Sequence, residues 1–201
     1  FKIPYNFSFN MLDSQKVKRS WKHPEGYKYL APWSNAVLLR FLCRKLTDTL
    51  PKSEYRTKSQ LNDAARSVVS NIEEGYKRSK TKEYLDFLGY SQGSLEEVKG
   101  DIKRLMQDGF LKSKPGSSLR DLGIDLKEFK GLLEESKGEV PLETLYFPLK
   151  SLGPADLTFE IFMELINKTD YLLRNLVASL QKKIKLAEDR EKYRASKYLD
   201  W

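Results

Sequence analysis

Between Arg66 and Lys99 the chain reads RSVVSNIEEGYKRSKTKEYLDFLGYSQGSLEEVK, and two apolar patterns of helical period meet there at a glycine. Upstream, Leu61, Ala64, Ala65, Val68 and Ile72 recur at the spacing that places them on one helix face. That face stops at Gly75, which is expected to end the helix in the left-handed conformation at its C′ position, and Lys77, Arg78, Lys80 and Lys82 follow. Ser79 or Thr81 is expected to cap the next helix, without the Glu three residues on that completes a capping box. Downstream, Tyr84, Leu85, Leu88, Gln92, Leu95, Val98, Ile102, Leu105 and Met106 fall mostly in steps of three and four. Two amphipathic helices on a short loop form an αα-hairpin, which confines the chain to helical architectures.

Two more helical patterns flank the hairpin. One starts after Pro32 and ends near Thr49, with Val37, Leu38, Phe41, Leu42 and Leu46 as its stripe and Arg40, Arg44 and Lys45 opposite. The other starts near Pro154 to Asp156 and carries Phe159, Phe162, Ile166, Thr169, Leu173, Leu176, Leu180 and Ile184. With no strand signal, the expected fold is all-α: an antiparallel up-and-down four-helix bundle made of 33–111 and 154–187. Residues 1–32 read as a basic and aromatic N-terminal arm, and 112–153 as an insertion between the third and fourth helices. Its glycines and prolines exclude a long helix there, while Asp125 to Glu135 can form a short amphipathic one. The tail, residues 188–201, belongs to a charge-alternating stretch from Leu186 that is expected to fray or reach a neighbour.

Gly89, Gly93 and Gly100 interrupt the third helix, each at a cost of about 1 kcal/mol relative to Ala. With Ser91 and Ser94 beside them they suggest close approach by another helix, of this chain or of another subunit. Gly89, Gly93 and Ser94 are the candidate oligomer-packing residues.

The formal net charge is +8, and residues 1–60 hold 12 Lys or Arg against 4 Asp or Glu, so the excess sits there. Such a block suits a polyanion, although it also suits solubility alone. The arm interleaves Lys16, Lys18, Arg19, Lys22 and Lys28 with Phe1, Tyr5, Phe7, Phe9, Trp21, Tyr27 and Tyr29, which fits base stacking with phosphate contact or aromatic anchoring on a protein surface. No apolar run approaches the roughly 20 residues of a membrane span. The opening FKIPYNFSFN shows no secretory pattern, and the single cysteine makes a reduced, cytoplasmic setting the expectation.

Catalytic constellations are not legible, and no enzymatic activity is expected. His23 stands alone in the arm, Cys43 lies in a core-like helix pattern, and one residue of each type cannot build a Cys/His metal cluster. Neither cofactor nor metal is expected. Glu73-Glu74 and Glu96-Glu97 lack the Glu-x-x-His partners of a di-metal bundle. Glu73 reads instead as partner to a basic group near the hinge, and Glu96 and Glu97 as partners of Lys99, Lys103 and Arg104.

Leu50-Pro51-Lys52-Ser53-Glu54-Tyr55, Gln60-Leu61 with Ala64-Ala65, Ser67-Val68, Asn71-Ile72 and Glu74-Gly75, then Lys82-Glu83-Tyr84-Leu85, Phe87-Leu88, Gly93-Ser94-Leu95 and Glu97 carry a resemblance. Over roughly residues 33–111 the chain resembles the four-helix-bundle family of 23S rRNA intervening-sequence proteins, which includes the accessory variability determinant (Avd-like) proteins of diversity-generating retroelements. The resemblance implies a ring-like homopentamer with a basic surface, no enzymatic activity, binding to RNA or DNA and, in retroelement systems, to a reverse transcriptase. The chain departs from that pattern in Glu73, where Ala is usual, in its arm and in its insertion. The candidate nucleic-acid-binding residues are Lys16, Lys18, Arg19, Lys22, Arg40, Arg44, Lys45, Lys52, Arg56, Lys58, Lys77, Arg78, Lys80 and Lys82. The alternative is a protein-protein assembly module of the intervening-sequence branch whose basic face binds no nucleic acid.

Overall fold

A computed structural model describes residues 24–197, and its regular structure is helical, with no strand among the described residues. The helices are α1 (Ala31–Thr47), α2 (Tyr55–Lys77), α3 (Thr81–Gln107), α4 (Leu126–Glu135), α5 (Leu142–Leu145), α6 (Phe147–Lys150) and α7 (Phe159–Lys197). Lys16, Lys18, Arg19 and Lys22 of the arm lie outside the described residues, as do His23 and residues 198–201.

Helix α1 is the centre of the fold because its sequence is apolar or small nearly all round. Trp33, Ala36, Leu38, Leu39, Leu42 and Cys43 are all buried, and a helix with no polar face must be covered on every side. It packs against α2, α7, α4 and a 3-10 turn at Gly26–Tyr29, while α3 packs against α2 and α7. Only Arg40 and Arg44 break its surface in the second half. The stripe read from the sequence on α2 is buried and most of that on α3 is: Leu61, Ala64, Ala65, Val68 and Ile72 face Tyr84, Leu88, Leu95 and Val98 across the most extensive contact among the described residues, while Leu85, Gln92 and Met106 of the α3 stripe are half-buried. Ser91 crosses that seam, its hydroxyl donating to the Val68 carbonyl at 2.9 Å.

The hinge differs from its sequence reading. Gly75 does not end α2 in a left-handed conformation: the helix runs on to Lys77, and Arg78 turns it off with an extended φ of −69° and ψ of 141°. Gly75 is buried, and a Cβ there would sit 2.6 Å from the Phe87 Cβ and 2.9 Å from Tyr84 Cδ2. The absence of a side chain is what lets α2 and α3 close. Neither Ser79 nor Thr81 caps α3; Lys80 holds the cap position without a side-chain bond, and Thr81 is buried in the first turn. Among the described residues nothing lies within 4 Å of a Cβ built on Gly89 or Gly93, so none of the described helices uses the space they leave.

Segment 112–153 adds Leu119, Ile124, Phe129, Leu133, Tyr146 and Leu149 to the same core as α1. Helix α4 forms where Asp125 accepts the Lys127 and Glu128 backbone N–H groups at 2.8 and 2.9 Å, an N-cap that its sequence supplies directly. The Tyr146 hydroxyl accepts the Asp125 N–H at 2.8 Å and ties α4 to the short helices after it. Helix α7 starts beside the end of α3, where the Phe159 N–H donates to the Lys112 carbonyl at 2.9 Å. It continues unbroken through the charge-alternating stretch to Lys197 rather than fraying at Leu186.

Candidate nucleic-acid interface

The described members of the basic set are spread along the length of α2, with Lys77 to Lys82 at the hairpin tip, Lys52, Arg56 and Lys58 at its start, and Arg40, Arg44 and Lys45 on α1 between them. Arg56 and Lys77 are 21 residues apart on one helix, about 30 Å at 1.5 Å per residue. They therefore form no single patch.

At the hairpin tip the cations are engaged. Lys77 Nζ lies 5.6 Å from the centre of the Tyr27 ring, and the Arg78 guanidinium lies 4.5 Å from that of Phe87 and 3.8 Å from Glu74. Lys80 approaches Glu83 at 3.9 Å, and Lys82 alone has neither an ion pair nor a ring contact among the described residues. Tyr27, from the segment read as arm, is buried edge-on against Trp33 and Tyr76 with ring centres 5.4 and 6.1 Å away. Burial raises its hydroxyl pKa, with the Glu73 charge adding to the effect.

Along the second half of α1 and into the start of α2, four cations are free among the described residues. Arg40, Arg44, Lys52 and Arg56 are exposed and make no ion pair among the described residues. Lys45 is held by Glu143 at 2.5 Å and leans over Phe41, and Lys58 lies 3.4 Å from Asp48. Arg40, Arg44, Lys45 and Asp48 border a cleft of about 620 Å³ whose far wall is Gly138, Val140, Pro141 and Leu142. In its floor the Trp33 indole N–H donates to Glu73 Oε1 at 2.8 Å. Glu73 thus pairs with an indole and not with a basic group, which corrects its sequence reading. The far wall was not legible, because it is brought to α1 by a chain reversal that no periodic pattern announces.

A family model of 23S rRNA-intervening sequence proteins matches residues 28–133. The chain belongs to the 23S rRNA-intervening sequence protein family. The matched region of this intervening-sequence protein takes in α1, α2, α3 and most of α4, extending beyond the 33–111 stretch that carries the resemblance. It stops before the far wall of the cleft. Neither the curated proteins nor the solved structures gave a match.

The remaining candidate groups of the family member are a thiol, paired carboxylates and a small-residue stripe. Burial pushes the Cys43 thiol far above its ordinary pKa, and the nearby Asp101 charge pushes it the same way, so the group is a neutral thiol in the core. Among the described residues no group of three His, Cys, Asp or Glu side chains could hold a metal ion, and no helix is long and apolar enough to cross a membrane. A groove of about 700 Å³ between α2 and α3 is floored by Ala64, Ser67 and Gly93 and edged by Asp63, Glu96 and Glu97. Glu96 pairs with Lys99 at 3.3 Å as its spacing suggests, whereas Arg104 pairs with the buried carboxylate of Asp101. Of the candidate packing residues, Gly89 and Gly93 are exposed and Ser94 is half-buried.

Proposed function

We propose that this intervening-sequence protein is a non-catalytic, self-associating nucleic-acid-binding protein whose long helices α1, α2, α3 and α7 form an up-and-down four-helix bundle. The observation that supports it best is the set of cations unpaired among the described residues, Arg40, Arg44, Lys52 and Arg56, along α1 and the start of α2 in a chain whose family is named for an element of 23S rRNA. Unpaired cations carry the counterion-release part of binding, which is insensitive to sequence. Structured RNA and its DNA copy are the ligands proposed, with a reverse transcriptase as protein partner. Self-association, as a pentamer in the reading from resemblance, would use the open surface at Gly89, Gly93 and Ser94.

Binding to a single-stranded RNA, titrated against salt, tests this. Four phosphates neutralised per chain give a slope of log affinity on log salt of about −3. A flat slope, with protein that purifies free of nucleic acid, overturns it and favours a protein-assembly module. The acidic edge of the α2–α3 groove, opposite in sign to those cations, is the observation on the side of that second reading.

A further inference from the structure

We infer that the cleft between α1 and the 138–143 segment is a nucleotide pocket that takes one phosphate across Arg40 and Arg44 and the attached base against Phe41, Val140 and Leu142; this rests on the nucleic-acid reading above. Three carboxylates border the cleft and each already has a partner: Glu73 accepts from the Trp33 indole at 2.8 Å, Glu143 faces Lys45 at 2.5 Å, and Asp48 faces Lys58 at 3.4 Å. What remains is the arginine pair. Arg40 and Arg44 stand one turn apart on the same helix face, a like-charged arrangement that disfavours the helix unless an anion sits between them. Their forked guanidinium groups match phosphate oxygens in geometry as well as in sign.

The opposite wall decides the rest of the ligand. Val140 is 38% exposed, and with Pro141 and Leu142 it presents apolar surface to the arginines and to Phe41. A hydrated inorganic anion gains nothing from such a wall, whereas a flat base is desolvated by it. The volume of about 620 Å³ is that of a small-ligand site. An acidic peptide would bring further carboxylates toward Asp48, Glu73 and Glu143 and has no planar body to cover the wall.

The wall is held in place by design of the backbone. Lys137 and Gly138 take successive positive φ values of 53° and 71°, a sharp reversal that non-glycine residues rarely adopt. It turns the chain back over α1, where Gly138 lies against Trp33 and the Glu143–Lys45 ion pair fixes the far end. These residues follow the region matched by the family model, which ends at 133.

Fluorescence anisotropy with a labelled single-stranded oligonucleotide and an abasic strand of equal length and charge tests the pocket, with uridine monophosphate and poly-glutamate as competitors. Base contact of ordinary strength should make the normal strand bind about tenfold tighter than the abasic one. In an Arg40→Gln/Arg44→Gln protein, and independently in Val140→Asp, that ratio should fall to near one. A Lys52→Gln/Arg56→Gln protein should weaken both strands equally and keep the ratio, and circular dichroism should show all three variants helical. Equal affinity of the native protein for both strands, or a ratio that survives in both cleft variants, overturns the pocket while salt-dependent binding leaves the proposed function standing. Displacement of the strand by poly-glutamate but not by uridine monophosphate overturns it in favour of an acidic peptide. No salt-dependent binding to either strand overturns both.

Discussion

Gly75 sets the distance between two helices, and one methyl group there should be felt. Because the nearest atom to an added Cβ is the Phe87 Cβ, close to backbone and not the tip of a flexible side chain, α2 and α3 would have to part. Gly75→Ala should destabilise the fold by about 1–3 kcal/mol despite the better helix propensity of Ala, read from chemical denaturation. Sequence reasoning found this glycine and gave it the wrong task, since helix termination and close approach ask for the same residue and only the neighbour across the seam separates them. Glu73 shows the same limit: its charge suggested a cation, while the group that reaches it is an indole 40 residues away. Apolar positions were far easier to place. Leu61, Val68, Ile72, Leu88, Leu95 and Ile102 are buried as their spacing required, because periodicity reports which face is covered without knowing by what.

Helix α4 depends on its cap. The backbone N–H groups of Glu128 and then Lys127 hold the Asp125 carboxyl below its ordinary pKa. A lowered folded-state pKa means the cap contributes fully above the unfolded value of about 4 and is lost as pH falls through the folded one. Asp125→Ala should therefore lower the melting temperature at pH 7, and the gap between variant and native protein should narrow as the pH falls from the unfolded carboxyl value through the lower folded one. A gap independent of pH would show that the carboxylate charge contributes nothing. The element was legible because an Asp followed by the LKEFKGLLEE periodicity is a local signal, whereas the Lys137–Gly138 reversal and the wall it builds depend on a non-local fold-back. The candidate site divides along the same line: its α1 cations could be named from sequence, and the surface they face could not.

One core serves the whole described chain. Phe129 is fully buried in the same cluster as Leu38 and Phe162, so a cavity there should loosen all of the helices together. Phe129→Ala should cost about 3–5 kcal/mol and leave unfolding as a single transition at lower temperature. A second, separate transition with the main one unmoved would show that 112–153 folds as an independent unit. Charge is organised at this scale too: at the hairpin tip Arg78 and Lys80 are matched by Glu74 and Glu83, while along α1 and the start of α2 Arg40, Arg44, Lys52 and Arg56 are left open among the described residues.

Helix α7 is 39 residues long and α3 is 27, about 58 and 40 Å respectively. Since α7 starts beside the end of α3 and packs along it, about 18 Å of α7 extends beyond the length of α3 as a largely exposed rod. Its inner part is clamped by Leu165, Thr169 and Leu173, all fully buried. The rod is thus a lever with its fulcrum in the core, and a partner that grips residues 186–194 would exert torque directly on the packing around α1.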